Sequence, residues 1–504
     1  MIPVVDIFAG AGGLGEGFAS FSPKRGADSA FQVVLSAEMD GHAVQTLRTR
    51  AFFRQFPHGH APASYYQYAA GEVGQPWTAA TEAQWKVACD EALQIKLGDP
   101  SDDVVLRDRI KRVAQQARKT DTPWVLVGGP PCQAFSLIGR ARNRGKKNYV
   151  PEEDERHFLY QHYLTILTKF CPTVFVLENV KGILSSQVGG QSVFNEMFKQ
   201  LQRPGGRNGP RYRIQPIVQA SSQDGGFEPR DFVVHAEALG LAQARHRVIL
   251  VGVLENAPEI RPMQPLRERY SVEQMIGALP AIRSGTTDDV IRSWPTFSER
   301  LLRQTARYAR SIDGPVAQYL TKLADEAAGG HDLQTGERWM ETDLTCQVPG
   351  HLNAFIRDRR LKGVLNHQAR AHMSSDLMRY GFAAAFAAVN GRSPRGSDEF
   401  PNELHPTHRS WYVSNRFVDR FKVQRSGAPS STITSHLAKD GHYYIHHDPL
   451  QLRSLTVREA ARLQTFPDNY IFEGPAGSQR KQVGNAVPPW LGRQIARVVH
   501  EAVT

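Results

Sequence analysis

Cys132, Glu178 and Arg247 each stand at an end of an apolar run, and their types suit one chemistry when they meet. Trp124-Val125-Leu126-Val127 reads as a buried parallel strand stopped by Gly128-Gly129-Pro130-Pro131, and Cys132 is the first side chain presented after that stop. Taken alone, a single cysteine is more often a small buried hydrophobe than a nucleophile. Thr173-Val174-Phe175-Val176-Leu177 is a second buried-strand pattern and ends in Glu178-Asn179-Val180. In a dry pocket the Glu178 carboxyl would keep its proton to higher pH and donate it near neutrality; capping of the following turn is an equal alternative. Gln243-Ala244-Arg245-His246-Arg247 runs into Val248-Ile249-Leu250-Val251, so one arginine can face a site while the other packs elsewhere. Thiol, carboxylic acid and guanidinium together suit substitution at C5 of a pyrimidine. A thiolate adds to C6 and makes C5 nucleophilic toward a methyl donor. An acid at N3 and a cation at O2 stabilise the charge that this addition pushes into the ring.

The elements that must position these groups begin at the N-terminus. Val4-Val5-Asp6-Ile7-Phe8 leads into Ala9-Gly10-Ala11-Gly12-Gly13-Leu14-Gly15, which satisfies G-x-G-x-x-G after a strand. A second strand over 31–37 ends in Glu38, placed to accept hydrogen bonds from ribose hydroxyls. On the glycines alone, a nicotinamide or flavin dinucleotide fits as well as S-adenosylmethionine. Asp6 argues for the latter, because a pyrophosphate gains nothing from a nearby negative charge, whereas a sulfonium and an ammonium do. Asp99, in Lys96-Leu97-Gly98-Asp99, offers an acid for an adenine amino group; a plain turn residue before Pro100 is nearly as good a reading.

A chain of 504 residues exceeds the size at which one core stops growing, so two or three domains are expected. Hydrophobic content of 41% with 22% charged residues fits a soluble globular protein, and no apolar run approaches the roughly 20 residues that span a bilayer. The first strand starts at residue 2, leaving no room for a signal peptide. Cysteines at 89, 132, 171 and 346 have neither metal-ligand nor disulfide spacing, so a reduced cytoplasmic protein without a metal is expected. The net charge of +11 points to a polyanionic partner. Part of that excess is clustered: Arg140, Arg142, Arg144, Lys146 and Lys147 follow Cys132, interrupted by Gly139 and Gly145. A glycine-hinged basic run beside the thiol reads as a mobile loop that contacts phosphates.

D-I-F-A-G-A-G-G-L-G-E-G-F, G-G-P-P-C-Q-A-F-S, E-N-V and Q-A-R-H-R resemble the ordered motif series of the DNA cytosine-C5 methyltransferases. R-S-L-T-V-R-E-A-A-R-L-Q-T-F-P-D at 453–468 and Q-V-G-N-A-V-P-P at 482–489 are similar to its last two motifs, and the match covers about half the chain. The resemblance implies an α/β fold, a Rossmann-like S-adenosylmethionine-dependent methyltransferase sheet with a smaller target-recognition domain. It implies Cys132 as nucleophile, Glu178 as the N3 partner, and Arg247, with Arg245, at O2 of the base. Cofactor contacts are implied from Phe8, Ala9, Gly10, Gly12, Gly13, Glu38, Met39, Asp99, Pro131 and Asn485. Met39 stands where many relatives carry an aromatic, and the stretch from Asp99 to Cys132 is longer than usual for the family.

The expected domains are 1–256 for catalysis and cofactor binding, 257–452 for target recognition, and a C-terminal segment, 453–504, returning to the catalytic domain. Some 200 residues without a catalytic motif are too many for a loop, and they carry basic and aromatic stretches such as Arg409-Ser410-Trp411-Tyr412, Arg416-Phe417 and Arg420-Phe421-Lys422. Thr432-Ile433-Thr434-Ser435-His436 resembles the family segment closing the target-recognition region. His442-Tyr443-Tyr444-Ile445-His446-His447 is more strand-like than metal-binding, and Asn366-His367 with Arg370 and His372 reads as a polar interface. Thr456 with Glu459 makes a capping box, followed by an amphipathic pattern of Val457, Ala460, Ala461 and Leu463. Pro488-Pro489 open a last helix whose apolar face is Leu491, Ile495, Val498 and Val499.

C5 of a stacked base is out of reach, so the target must be flipped out of the duplex. The expected activity is methylation of cytosine C5 in a specific DNA sequence by a monomer, in a restriction–modification or other defence setting. The same chemistry on RNA is the near alternative. A dinucleotide oxidoreductase leaves Cys132, Glu178 and the basic run without a role, and an inactive DNA-binding regulator does not need them.

Overall fold

β1 (Ile2–Ile7), β2 (Phe31–Glu38), β3 (Ala92–Gln94), β4 (Val125–Gly128) and β5 (Val174–Val180) are the apolar, β-branched runs of the N-terminal half, and they form the parallel part of one sheet. The computed structural model describes residues 1–24, 28–57, 60–130, 155–188, 190–220, 226–266, 268–343, 347–348, 350–407, 411 and 419–504. Three further strands, β6 (Tyr212–Gln215), β7 (Val233–His235) and β8 (His246–Leu254), complete eight, in the order β3-β2-β1-β4-β5-β8-β6 with β7 also paired to β8. β8 runs antiparallel to β5, and β6 and β7 run antiparallel to β8. Strand order reverses at β1, between β2 and β4, which is where open α/β sheets form their ligand crevice. Helices α1 (Gly13–Ala19), α2 (Gly41–Arg54), α3 (Pro100–Lys119), α4 (Glu155–Phe170) and α5 (Val193–Gln202) alternate with the strands. Leu106, Ile110, Ala114 and Ala117 of α3 recur at helical spacing and are buried against the sheet residues Val5, Ile7, Leu35 and Leu126.

The chain divides into two units. The first comprises residues 1–61, 77–268 and 486–504; the second comprises 62–76 and 269–485. This partition differs from the expected boundaries at three places: 62–76 falls in the second unit, 257–268 in the first, and of the C-terminal segment 453–485 belongs to the second unit and only 486–504 to the first. For the C-terminal segment the reason is packing. The last helix, Pro489–Glu501, lies on α1, and a Cβ at Gly17 would sit 2.4 Å from the backbone of Gly492, so the two helices touch through glycine. Its Leu491, Ile495, Val498 and Val499 are all buried.

In the second unit, α6 (Trp294–Ala309), α7 (Gly314–Ala328) and α8 (Ser374–Asn390) share a core that includes Leu301, Leu320, Leu323, Leu377 and Phe382. α9 (Val457–Leu463) carries the expected capping box, but it is not amphipathic: every one of its residues is buried. The arginines in it and just before it are satisfied internally. Arg453 is bidentate on Glu459 at 2.7 Å for both bonds, Arg462 pairs with Asp468 at 2.8 Å, and Arg458 donates to the carbonyls of Leu365, Pro467 and Tyr470. Burying charges without such partners would cost several kcal/mol per ion, at the order-of-magnitude level. α10 (Ala476–Asn485) follows.

Candidate active site

The carboxyl edge of the sheet gathers the first unit's chemistry, and register explains how. Ile7 is level with Gly128, Gly128 with Leu177, and Leu177 with Leu250. The glycine loop, the segment leading to Cys132 and Glu178 therefore all leave the sheet at one height. β8 is antiparallel, so its beginning lies at the same edge where its neighbours end. Glu178 faces Ile249, and Arg247 is two residues from Ile249 on the same side of the strand. Their side chains meet: Arg247 Nε lies 2.8 Å from Glu178 Oε1, with 11% and 15% of the side chains exposed. Of the two readings of Glu178, dry pocket or turn cap, neither named this ion pair. Arg247 Nη1 also donates to the His246 carbonyl at 2.8 Å, a second contact that restrains the guanidinium.

Arg245 is placed differently. It is 2% exposed, lies between the short pairing at Gln243–Ala244 and β8, and its carbonyl accepts from the Ala236 N–H. Gly129 was not singled out in the sequence, yet a Cβ there would lie 2.9 Å from Glu178 Oε2 and 3.1 Å from its carbonyl oxygen. Three residues before Cys132, the chain is pressed against Glu178. Pro131, Cys132 and the basic residues Arg140, Arg142, Arg144, Lys146 and Lys147 lie outside the described residues, as do Arg409, Ser410, Tyr412, Arg416 and Phe417.

The glycine loop is built by unusual backbone. Phe8, Gly10 and Gly12 take φ of 57°, 56° and 78°; the left-handed region costs glycine nothing and Phe8 of order 1 kcal/mol. A Cβ at Gly10 would meet no atom within 4 Å, so the loop is open above that residue. Ala9 and Gly13 flank these turns; the Ala9 N–H donates to the Ala37 carbonyl, and Gly13 begins α1. Glu38 accepts from the N–H groups of Gly10 at 2.8 Å and Asp40 at 2.9 Å. A carboxylate has about four lone-pair sites, so two remain for a ligand hydroxyl. Met39 beside it is 62% exposed, an apolar surface at the lip of the loop.

Asp99 caps α3: its Oδ1 accepts from the N–H groups of Ser101 and Asp102 and from the Ser101 hydroxyl at 2.6 Å, and these bonds hold its carboxyl below the usual range. The turn reading of Asp99 is therefore structurally real, with Oδ2 making none of these bonds. Asn485 is exposed at the end of α10, in the second unit. Asp6 is fully buried beneath the loop, and burial pushes its carboxyl up to about 7. Its Oδ2 is buried without a hydrogen-bond partner among the described residues. The negative charge expected from Asp6 is accordingly only partly present at neutral pH. Glu16 in α1 supplies a firmer anchor that the sequence did not reveal. It is paired with Arg50 at 2.5 Å and Arg54 at 3.3 Å, and Arg54 reaches Glu91 at 2.5 Å.

A family model for C-5 cytosine-specific DNA methylase matches residues 107–501. The chain belongs to that family. It is a DNA (cytosine-5-)-methyltransferase with a Rossmann-like methyltransferase fold. It is 31% identical to the type II methyltransferase M.Bpa9945I of Bacillus paralicheniformis, over 99% of both chains. Identity to the type II methyltransferase M.AgeI of Thalassovita gelatinovora is 28%, covering 75% of this chain and 83% of that one. A solved E. coli prophage protein described as a DNA modification methyltransferase superposes with a TM-score of 0.53 at 18% identity, covering 100% of this chain and 99% of that one. No helix among the described residues is long and apolar enough to cross a membrane.

In the second unit of this methyltransferase, the basic and aromatic stretches prove to be partly core. Trp411 and Phe421 pack against Phe400 with ring centroids 5.6 and 5.1 Å away, and Arg420 lies 3.5 Å from Asp440. The histidines are used structurally. His442 Nδ1 lies 2.8 Å from the Tyr380 hydroxyl, His372 bridges Tyr380 and Ser454, and His367 bridges Thr456 and the Pro280 carbonyl.

Proposed function

We propose that this methyltransferase acts on a cytosine flipped out of a specific duplex sequence, through a covalent bond from Cys132 to C6. The observation that carries the reading is the Arg247–Glu178 pair at the same sheet edge as the glycine loop, with Gly129, three residues before Cys132, against Glu178. Glu178 presents its carboxyl to the N3 side of the base, while Arg247 holds that carboxyl and offers its remaining N–H groups to O2. The negative charge created by thiolate addition thus meets a donor and a cation in place. After substitution at C5, loss of the C5 proton and elimination break the S–C6 bond and return the thiolate.

S-adenosylmethionine fits the loop: the backbone is open above Gly10, Glu38 keeps lone pairs for ribose hydroxyls, and Met39 offers an apolar surface. Phe8, Ala9, Gly10, Gly12, Gly13, Glu38 and Met39 would hold it, with Asp99, Pro131 and Asn485 as the further contacts. Bound there, it supplies an electrophilic methyl group. Relatives named type II methyltransferases support a place beside a cognate restriction activity; action as a cytoplasmic monomer is part of the same proposal.

The test supplies labelled S-adenosylmethionine with duplex DNA and, separately, RNA, and maps the modified base. Label at cytosine C5 of DNA is expected; label on adenine or on RNA alone refutes the reading. Cys132→Ser should abolish both transfer and covalent trapping by a duplex carrying 5-fluorocytosine while DNA binding persists. Full activity in that variant would exclude the thiol route.

A further inference from the structure

His235 ends β7, His246 begins β8, and the two stand directly opposite each other in an antiparallel pair. Their rings lie 4.0 Å apart between centroids. Glu237, in the turn of 3-10 helix just after β7, reaches back to both: its Oε1 is 2.9 Å from His246 Nε2 and 3.7 Å from His235 Nδ1. One ligand atom from each residue lies within 4.8 Å of the others. Glu237 Oε2 is buried with no hydrogen-bond partner among the described residues, so half of this carboxylate is desolvated without compensation. We propose that His235, Glu237 and His246 form a binding site for a divalent transition cation of the zinc and nickel class.

The donor set and spacing support that ligand. Zinc takes imidazole nitrogen and carboxylate oxygen at about 2.0–2.2 Å, which places tetrahedral ligand atoms roughly 3.3–3.5 Å apart. The two carboxylate separations, 2.9 and 3.7 Å, bracket that range, and all three ligand atoms lie within 4.8 Å of one another. Two imidazoles and one carboxylate favour borderline cations over calcium or magnesium, which prefer all-oxygen shells. Three protein ligands leave a fourth position, and His235, half exposed, opens it to solvent. On binding, the metal takes the place of any proton carried by the ligand atoms, and that proton leaves to solvent. The site is one residue from Arg247, whose guanidinium is held by the His246 carbonyl, so an occupied site ties down the strand that carries the active-site arginine. Contacts of Glu237 Oε1 with both histidines would explain their approach, but they give no role to the orphaned Oε2.

Titration of the full-length protein with zinc against a chromogenic chelator tests the site, followed by titration of His235→Gln and Glu237→Gln. The wild type should bind one equivalent that both variants weaken at least tenfold. Zinc should raise the wild-type melting temperature more than that of either variant. His235→Gln changes a half-exposed side chain, so its melting temperature without metal should match the wild type and separate lost ligation from lost folding. Cobalt bound here should show no thiolate charge-transfer absorption. Unchanged affinity in both variants, or a cobalt spectrum dominated by thiolate, overturns the proposal.

Discussion

Glu178 and Arg247 are 69 positions apart in the chain and 2.8 Å apart in space, and neither has its role without the other. A carboxyl and a guanidinium that fix each other's orientation are preorganised, so little reorganisation is left for the moment when charge develops on the base. Glu178→Gln keeps the shape but removes the ion pair with Arg247 and the carboxyl group proposed to serve N3 of the base. Its methyl-transfer rate should fall roughly 10²-fold or more, with S-adenosylmethionine affinity nearly unchanged. Single-turnover rates with equilibrium cofactor binding check this, and wild-type turnover in the variant would assign N3 to another group. The residue types at 178 and 247 were legible in the sequence; their contact was not, because it depends on β8 running antiparallel.

The element that carries the glycine loop is stabilised from an unexpected quarter. α1 has only seven residues and three glycines, so helix propensity contributes little to holding it. Glu16 compensates by accepting from Arg50 and Arg54 of α2, in a network whose Glu16 and Arg50 side chains are about 5% exposed. Burial raises the Glu16 carboxyl, but Arg50 and Arg54 outweigh it and hold the group below its ordinary range. Glu16→Gln removes the carboxylate that Arg50 shares with Arg54, leaving Arg54 its Glu91 partner, and should lower the unfolding free energy of the first unit by about 3 kcal/mol. The exposed pair Lys86–Glu82 offers the contrast: Lys86→Ala should cost well under about 1 kcal/mol. Urea denaturation of both variants measures the difference, and equal effects would show that the buried network adds nothing. The sequence shows Glu16 only as a charge between two glycines, since Arg50 and Arg54 lie a strand and a helix away.

At the scale of the whole molecule, the buried histidines of the second unit make it acid-sensitive. Burial, with nearby arginines, pushes His367 down to about 4 and His372 to about 3. In the unfolded chain both titrate near 6.5, so below that pH the unfolded state takes up more protons than the folded one. Their contribution is complete above pH 6.5 and is lost as pH falls toward about 4 for His367 and 3 for His372. The loss should amount to roughly 2 kcal/mol per histidine between pH 6.5 and 5. Hydrogen exchange across 269–485 at pH 7 and pH 5 reads this directly, and His372→Gln should flatten the pH dependence. The same slope in that variant and the wild type would remove His372 from the account.

Local patterns determined most of the sheet and the donor loop. The parallel strands, the glycine turns, the stop before Cys132 and the capping box at Thr456 are short-range features, each written in fewer than about ten consecutive residues. Tertiary structure alone decided three things. The antiparallel turn of β8 paired Arg247 with Glu178, the touching glycines of α1 and the last helix divided the C-terminal segment between the units, and strand register set His235 opposite His246. In each, one residue's meaning depends on a partner outside its own element, 11 positions away for His235 and His246, 69 for Glu178 and Arg247, and hundreds for the two glycines. No local periodicity carries that information, because it arises only when strands choose neighbours and helices choose faces.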